Sequence, residues 1–199
     1  MERLYSLLRL RGHCCTRNEK RALIASKEGL LYVKGGNECY SLGVLPPEVD
    51  DWTLVPLSFK VKKAYTGKFH SFLITEEGAL YCTGKNYYGQ LGLESSKLYK
   101  TWTYCPIPFN VIGMAIWSQF SFLITEKGLV CGTGYSRFGY RDRNNHSKVC
   151  QFRKNWALLS FPFPVKLIKV IAPLDHALLI TEQGLQYQTL ERGEWHRQN

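Results

Sequence analysis

The chain has 199 residues, 45% of them hydrophobic and 14% aromatic, and carries a formal net charge of +10 from 26 basic and 16 acidic side chains. That apolar content excludes a disordered polyelectrolyte, and a chain of this length supports a core that hides roughly 70% of its unfolded surface. No apolar run reaches the roughly 18 residues of a membrane-spanning helix, and the periodicity predicts short strands in place of long helices.

Met1–Leu10 is basic and leucine-rich, too short and too charged for a signal-peptide core. It reads as an opening strand packed into the first repeat. Arg11-Gly12-His13 echoes the later Gly67-Lys68-Phe69-His70, with a few extra residues before Arg21. Then comes a ten-residue phrase that occurs four times: Leu23–Tyr32, Phe72–Tyr81, Phe122–Cys131 and Leu178–Tyr187. Its central glycines, Gly29, Gly78, Gly128 and Gly184, are spaced by 49, 50 and 56 residues. A period near 50 is one supersecondary unit copied along the chain. Each copy is an apolar β-prone run, a polar turn with glycine, and a second apolar run, which is the pattern of a β-hairpin.

Two further landmarks keep the period. Gly84-Lys85-Asn86-Tyr87-Tyr88-Gly89-Gln90-Leu91-Gly92 follows the second hairpin. Gly35-Gly36-Asn37-Glu38-Cys39-Tyr40-Ser41-Leu42-Gly43 follows the first, with Tyr40 in place of Gly89 and Ser41 in place of Gln90. In the third copy, Gly134–Gly139 keeps only the first half, and Leu190–Gly193 in the fourth is nearly dissolved. A tryptophan then precedes prolines: Trp52 with Pro56, Trp102 with Pro106 and Pro108, Trp156 with Pro162 and Pro164. The chain therefore reads as one repeat domain over 1–199, with repeats of about 1–51, 52–101, 102–155 and 156–199.

A hairpin opened by His70-Ser71, carrying Ile74 at a leucine position with Thr75, Gly78 and Tyr81, and followed by Gly84-x-Asn86-x-x-Gly89-Gln90-Leu91-Gly92, resembles the repeat of the regulator of chromosome condensation family. The resemblance implies an all-β, β-propeller-like array of about four blades, each a four-stranded sheet. Seven blades usually close a ring in that family, so four repeats imply a partial or small propeller. Exposed blade edges then invite self-association or a protein partner, and the arrangement suits work within a larger assembly.

Seven cysteines, Cys14, Cys15, Cys39, Cys82, Cys105, Cys131 and Cys150, are odd in number and form no C-x-x-C pair. With no secretory signal, they read as free thiols of a reducing intracellular compartment, cytoplasm or nucleus, and His13-Cys14-Cys15 alone makes no zinc site. Gly78–Lys85 imitates a phosphate-binding loop, but its spacing is one residue too long and Asn86 stands where a hydroxyl must reach the metal. His70 and His176 share one repeat position and read as packing residues, and Glu76, Glu126 and Glu182 recur because the turn recurs. No catalytic constellation, metal or cofactor is expected.

One segment stands out. Charge is spread evenly, about +2, +3, +3 and +2 by quarters, yet Arg137–Lys154 alone carries +5. The distance from turn glycine to tryptophan is 23 and 24 residues in the first two copies but 28 in the third, so the extra residues fall in this basic loop. Arg137, Phe138, Tyr140, Arg141, Arg143, Lys148, Arg153 and Lys154 are the candidate partner-binding residues, since Arg and Tyr anchor interfaces and repeat insertions collect on a binding face. The same mixture suits phosphate contact and base stacking, or a plain solvated loop. The expected function is a non-enzymatic interaction or scaffold module. The resemblance implies a small-GTPase exchange regulator as an alternative, although no stretch matches the inserted wedge with which the founding branch engages its GTPase. The charge permits docking to chromatin or nucleic acid, and open edges suit a structural component of a large particle.

Overall fold

The computed structural model describes residues 14–17, 20–45, 47–116, 118–135, 139–141, 147–149, 153–159, 165–171, 176–181, 186–189 and 195–198, with side chains over 20–45, 47–116, 118–135 and 155–159. Among them there is no helix, and the strands form four antiparallel four-stranded sheets, as the resemblance implies. The first sheet is β1 (Cys14–Arg17), β2 (Arg21–Ala25), β3 (Leu31–Gly36) and β4 (Glu48–Val55). The second is β5 (Val61–Thr66), β6 (His70–Thr75), β7 (Leu80–Lys85) and β8 (Leu98–Cys105). The third joins β9 (Val111–Ile116), β10 (Phe120–Thr125) and β11 (Val130–Gly134) to β14 (Arg153–Leu159), with a separate pair, β12 (Gly139–Arg141) and β13 (Ser147–Val149), between them in sequence. The fourth is β15 (Val165–Ile171), β16 (His176–Thr181), β17 (Gln186–Thr189) and β18 (Trp195–Gln198).

The repeated phrase is the hairpin between the second and third strand of each sheet. Its turn closes the same way three times. The hydroxyls of Ser26, Thr75 and Thr125 each accept the backbone N–H four residues on, at 3.2 Å, and Gly29, Gly78 and Gly128 sit at φ 80°, 84° and 71°. A side chain would strain that left-handed backbone, which explains the recurring glycine. The turn also ties to the connection before it: Glu76 N–H donates to Lys60 O and Glu126 N–H to Asn110 O. A register shift recurs where the first strand meets the second, at Val61/Lys63, Val165/Leu167 and Ile124/Thr125, so the bulge belongs to the repeat itself.

The register corrects one sequence expectation. Arg21 pairs with Gly35 just as His70 pairs with Gly84 and Phe120 with Gly134. Arg21, and not His13, is the first repeat's counterpart of His70. Met1–Leu10 and Arg11–His13 lie outside the described residues.

The chain divides into two compact units, Met1–Gly84 with Leu98–Pro106 and Lys85–Lys97 with Ile107–Asn199. In the first, Leu23, Leu31, Val33, Leu42, Val55, Val61 and Leu73 form a core in which β5 lies against β1 and β2, with Phe59, Tyr81 and Trp102 packed on it. In the second, Leu91, Leu123, Ile124 and Val130 are buried, and β15 lies against β9 and β10. Every residue of β6 and of β10 is buried, so both faces of each second strand are covered and the sequence reads His-Ser-Phe-Leu-Ile-Thr or Phe-Ser-Phe-Leu-Ile-Thr without polar alternation. No helix of the described residues is long and apolar enough to cross a membrane.

Candidate interaction surface

Antiparallel strands taken in sequence put the first-to-second and third-to-fourth connections of a sheet at one end and the repeated hairpin turn at the other. The Gly-x-Asn loops therefore mark one end of the first and second sheets. The asparagine is a clamp. Asn37 Nδ2 donates to Val44 O at 2.7 Å while its Oδ1 accepts Leu42 N–H at 2.9 Å. Asn86 does the same with Leu93 O and Ser95 O, at 2.9 and 2.8 Å, and Leu91 N–H at 2.8 Å. Each clamp drives a fully buried leucine, Leu42 or Leu91, under its loop. Asn86 is fully buried and turned onto its own loop, which removes the phosphate-loop resemblance at its key position.

Each loop reaches forward onto the next repeat. Gly43 (φ 68°) lies so close to Trp102 that an added Cβ would overlap the indole nitrogen, and Gly92 (φ 69°) meets Trp156 in the same way. Carbonyls of the loops are held by hydroxyls of that next repeat. Thr83 Oγ1 donates to Tyr40 O at 2.8 Å, Thr133 Oγ1 to Gly89 O at 2.8 Å, and Ser121 Oγ to Gln90 O at 2.7 Å. The tryptophan and the glycine of the Leu-Gly pair, 59 and 64 residues apart in sequence, are thus two halves of one latch between neighbouring sheets.

Where the first two repeats have this loop, the third has a hairpin. Gly139 pairs with Val149, Tyr140 with Lys148 and Arg141 with Ser147. The basic insertion is therefore not a plain loop over these residues. Of the predicted partner-binding residues, Tyr140 and Arg141 lie on β12, Lys148 on β13, and Arg153 and Lys154 open β14; Arg137, Phe138 and Arg143 lie outside the described residues. The root of the hairpin is aromatic. Tyr135, just after β11, meets the ring of Tyr88 at 6.1 Å, and Tyr87 and Tyr88 are 49% and 40% exposed.

Other polar groups are structural. His70 is fully buried against Phe72, edge to face at 5.7 Å, and burial pushes its pKa down to about 3, so it is neutral. His176 opens β16 at the same repeat position. Cys39, Cys82, Cys105 and Cys131 are buried and outside any disulfide, and burial, then a hydrogen bond with Cys105, pushes the Cys82 thiol well up, which makes it unreactive. Among the described residues no group of three or more His, Cys, Asp or Glu side chains is placed to hold a metal ion.

Sequence reasoning missed the end of the first sheet. Tyr40 is, among the described residues, the one non-glycine at positive φ, 55°. Beneath it Arg21, 5% exposed, donates from Nη1 to Ser41 Oγ and to Lys68 O and from Nη2 to Glu38 Oε2. The signal was present: Tyr40 replaces the glycine of the second copy, and Arg21 its histidine.

A family model described as "Regulator of chromosome condensation (RCC1) repeat" matches residues 61–90, from β5 through the Asn86 clamp. No curated protein matches the chain in sequence. Among solved structures, Prp20p of Saccharomyces cerevisiae superposes with a TM-score of 0.73 at 15% identity, over 96% of this chain and 52% of that one. Yeast RCC1 (Prp20) bound to Kap60 gives 0.69 at 18% identity, over 87% and 42%. Human WBSCR16 gives 0.70 at 17%, over 85% and 44%. The chain spans about half the length of these proteins or less. Residues 61–90 match a regulator of chromosome condensation repeat, and the all-β fold of the chain is that of the RCC1-type β-propeller.

Proposed function

We propose that this protein is a non-enzymatic interaction module that docks a protein partner through the basic hairpin β12–β13. The observation that carries the reading is that an inserted hairpin stands in the third repeat where the first two have a clamped, latch-forming loop. The first two loops spend their residues on holding the next repeat; the third is longer by five and four residues and carries Arg, Lys, Tyr and Phe in their place. Arg and Tyr are the side chains that most often anchor protein interfaces. The role is a docking one inside a reducing compartment, consistent with seven cysteines that form no paired motif.

A second reading has its own support. The resemblance to the family implies a small-GTPase exchange regulator, and the similar Prp20p is described with binding properties to Gsp1p and histones. On that reading the hairpin promotes nucleotide release. Docking to nucleic acid or chromatin is a third reading, carried only by the charge of +10.

The test is a loop exchange in the full chain, with 135–151 replaced by the second repeat's 85–97. The exchanged protein keeps its strand signal in circular dichroism and loses partner binding. Acceleration of labelled-GDP release from a small GTPase by the parent chain, lost on exchange, selects the second reading. Affinity for duplex DNA that falls steeply with added salt selects the third. An exchanged chain that binds its partner undiminished overturns the assignment to the hairpin.

A further inference from the structure

The first unit carries a second charged feature, built from residues that the hairpin does not include. Tyr40 holds φ 55°, a backbone that glycine adopts in the second repeat at φ 76°. Strain of this kind persists where the side chain has a task. The ring of Tyr40 lies under Lys100, whose Nζ is 5.1 Å from its centroid, and Lys68 Nζ lies 5.3 Å from the centroid of Phe69. Lys68 and Lys100 are exposed, and neither meets a carboxylate among the described residues. The two pairs are tied together from below. Arg21 Nη1 bonds both Lys68 O and Ser41 Oγ, and Tyr40 O accepts Thr83 Oγ1, which also donates to Tyr99 O beside Lys100. Buried Arg21 thus joins the Lys68 backbone to the side chain of Ser41, the neighbour of Tyr40.

We infer that Lys68, Phe69, Tyr40 and Lys100 form a docking surface for an acidic peptide segment of a partner protein. Charge complementarity sets the sign of the ligand: exposed ammonium groups held over rings attract carboxylates and keep their order while doing so. The pattern of sign sets its class. Glu38, with 57% of its side chain exposed, sits among these cations, held by Lys20 and Arg21. A nucleic-acid strand brings a phosphate every 3.4 Å or so and meets that carboxylate head on. A peptide with intermittent Asp or Glu passes it with a neutral residue. One face of the Tyr40 ring is already taken by Lys100, which leaves a poor platform for a base.

The experiment is fluorescence anisotropy on the full chain with a labelled peptide in which Glu alternates with Ser, beside an oligothymidylate of equal charge. The peptide binds, and Lys68→Gln and Lys100→Gln each weaken it about two- to fivefold. Tyr40→Gly weakens it too while its thermal midpoint stays level or rises, because the strained backbone is relieved. A purely structural tyrosine gives the reverse, a lower midpoint with unchanged affinity, and overturns the proposal. So do unchanged affinities in both lysine variants, or an oligothymidylate bound more tightly than the peptide at equal salt. The loop-exchanged chain retains full peptide affinity; if it loses it, the peptide sits on the hairpin and this assignment fails while the hairpin reading stands.

Discussion

In the first repeat the third residue after the clamping asparagine is Tyr40, held at φ 55°; in the second it is Gly89, at φ 76°. The leucine and glycine beyond it are the same, Leu42-Gly43 and Leu91-Gly92, and both glycines lie against a tryptophan of the next repeat. Around this shared frame the polar partners differ. Arg21, Ser41 and Glu38 form a charged network in one loop, whereas His70, Gln90 and Tyr87 occupy the same positions in the other. The contrast separates scaffold from recognition within one motif. The asparagine, leucine and last glycine close the loop and latch the repeats, and the positions between them are free to take up recognition.

The shared frame is the costliest place to change. Gly92→Ala or Gly43→Ala adds a methyl group where the indole already lies and forces a side chain into left-handed backbone, so each costs about 2–5 kcal/mol of unfolding free energy in denaturant titration. Next come the clamps. Asn86→Ala and Asn37→Ala each leave backbone partners of their loop without a bond, so each loses about 1–3 kcal/mol. An unchanged stability in either variant would undo the equivalence of the two loops.

Acid separates the two networks. The imidazole of His70 stays neutral in the fold because burial holds its pKa near 3, while an unfolded histidine titrates near 6.5. Below about pH 6.5 the unfolded chain takes up a proton that the folded chain refuses, so stability falls as pH drops towards 3 and is fully present above that window. His70→Phe, copying Phe120 of the third repeat, flattens this slope in unfolding curves between pH 7 and 4. An unaltered slope would place the acid sensitivity elsewhere. The smallest change is at the contrasting position itself: Tyr40→Gly shifts stability by no more than about 1 kcal/mol, and Gly89→Tyr lowers it by about 1–2 kcal/mol in the same assay.

Much of the fold was legible in the sequence for a local reason. The turn needs glycine at φ near 80° and a hydroxyl three residues before it, so Thr75 and Gly78 or Thr125 and Gly128 announce the hairpin by themselves. The clamp is also local, since Asn86 bonds within nine residues. What joins one repeat to the next was not legible. Gly92 meets Trp156, and Ser121 meets Gln90, across separations that no window sees, although the shared period of tryptophan and Leu-Gly hinted at it. The β12–β13 hairpin was hidden differently: Arg, Asp and Asn at its centre give no alternation of apolar and polar residues, so composition pointed to a solvated loop. Arg21 escaped because a buried guanidinium is recognisable only with Ser41 and Glu38 around it, 20 and 17 residues away.

The forward-reaching loop of the second repeat governs how the chain can be cut. The backbone passes from one unit to the other between Gly84 and Lys85, between Lys97 and Leu98, and between Pro106 and Ile107. No single nick releases the units as separate molecules. A protease that opens 85–97 leaves β8, a strand of the first unit's second sheet, covalently attached to the fragment that makes up most of the second unit. The two fragments are then complementary halves that hold each other by strand pairing between β7 and β8. Expressed apart, they make a split protein whose reassembly reads out whether one half finds the other.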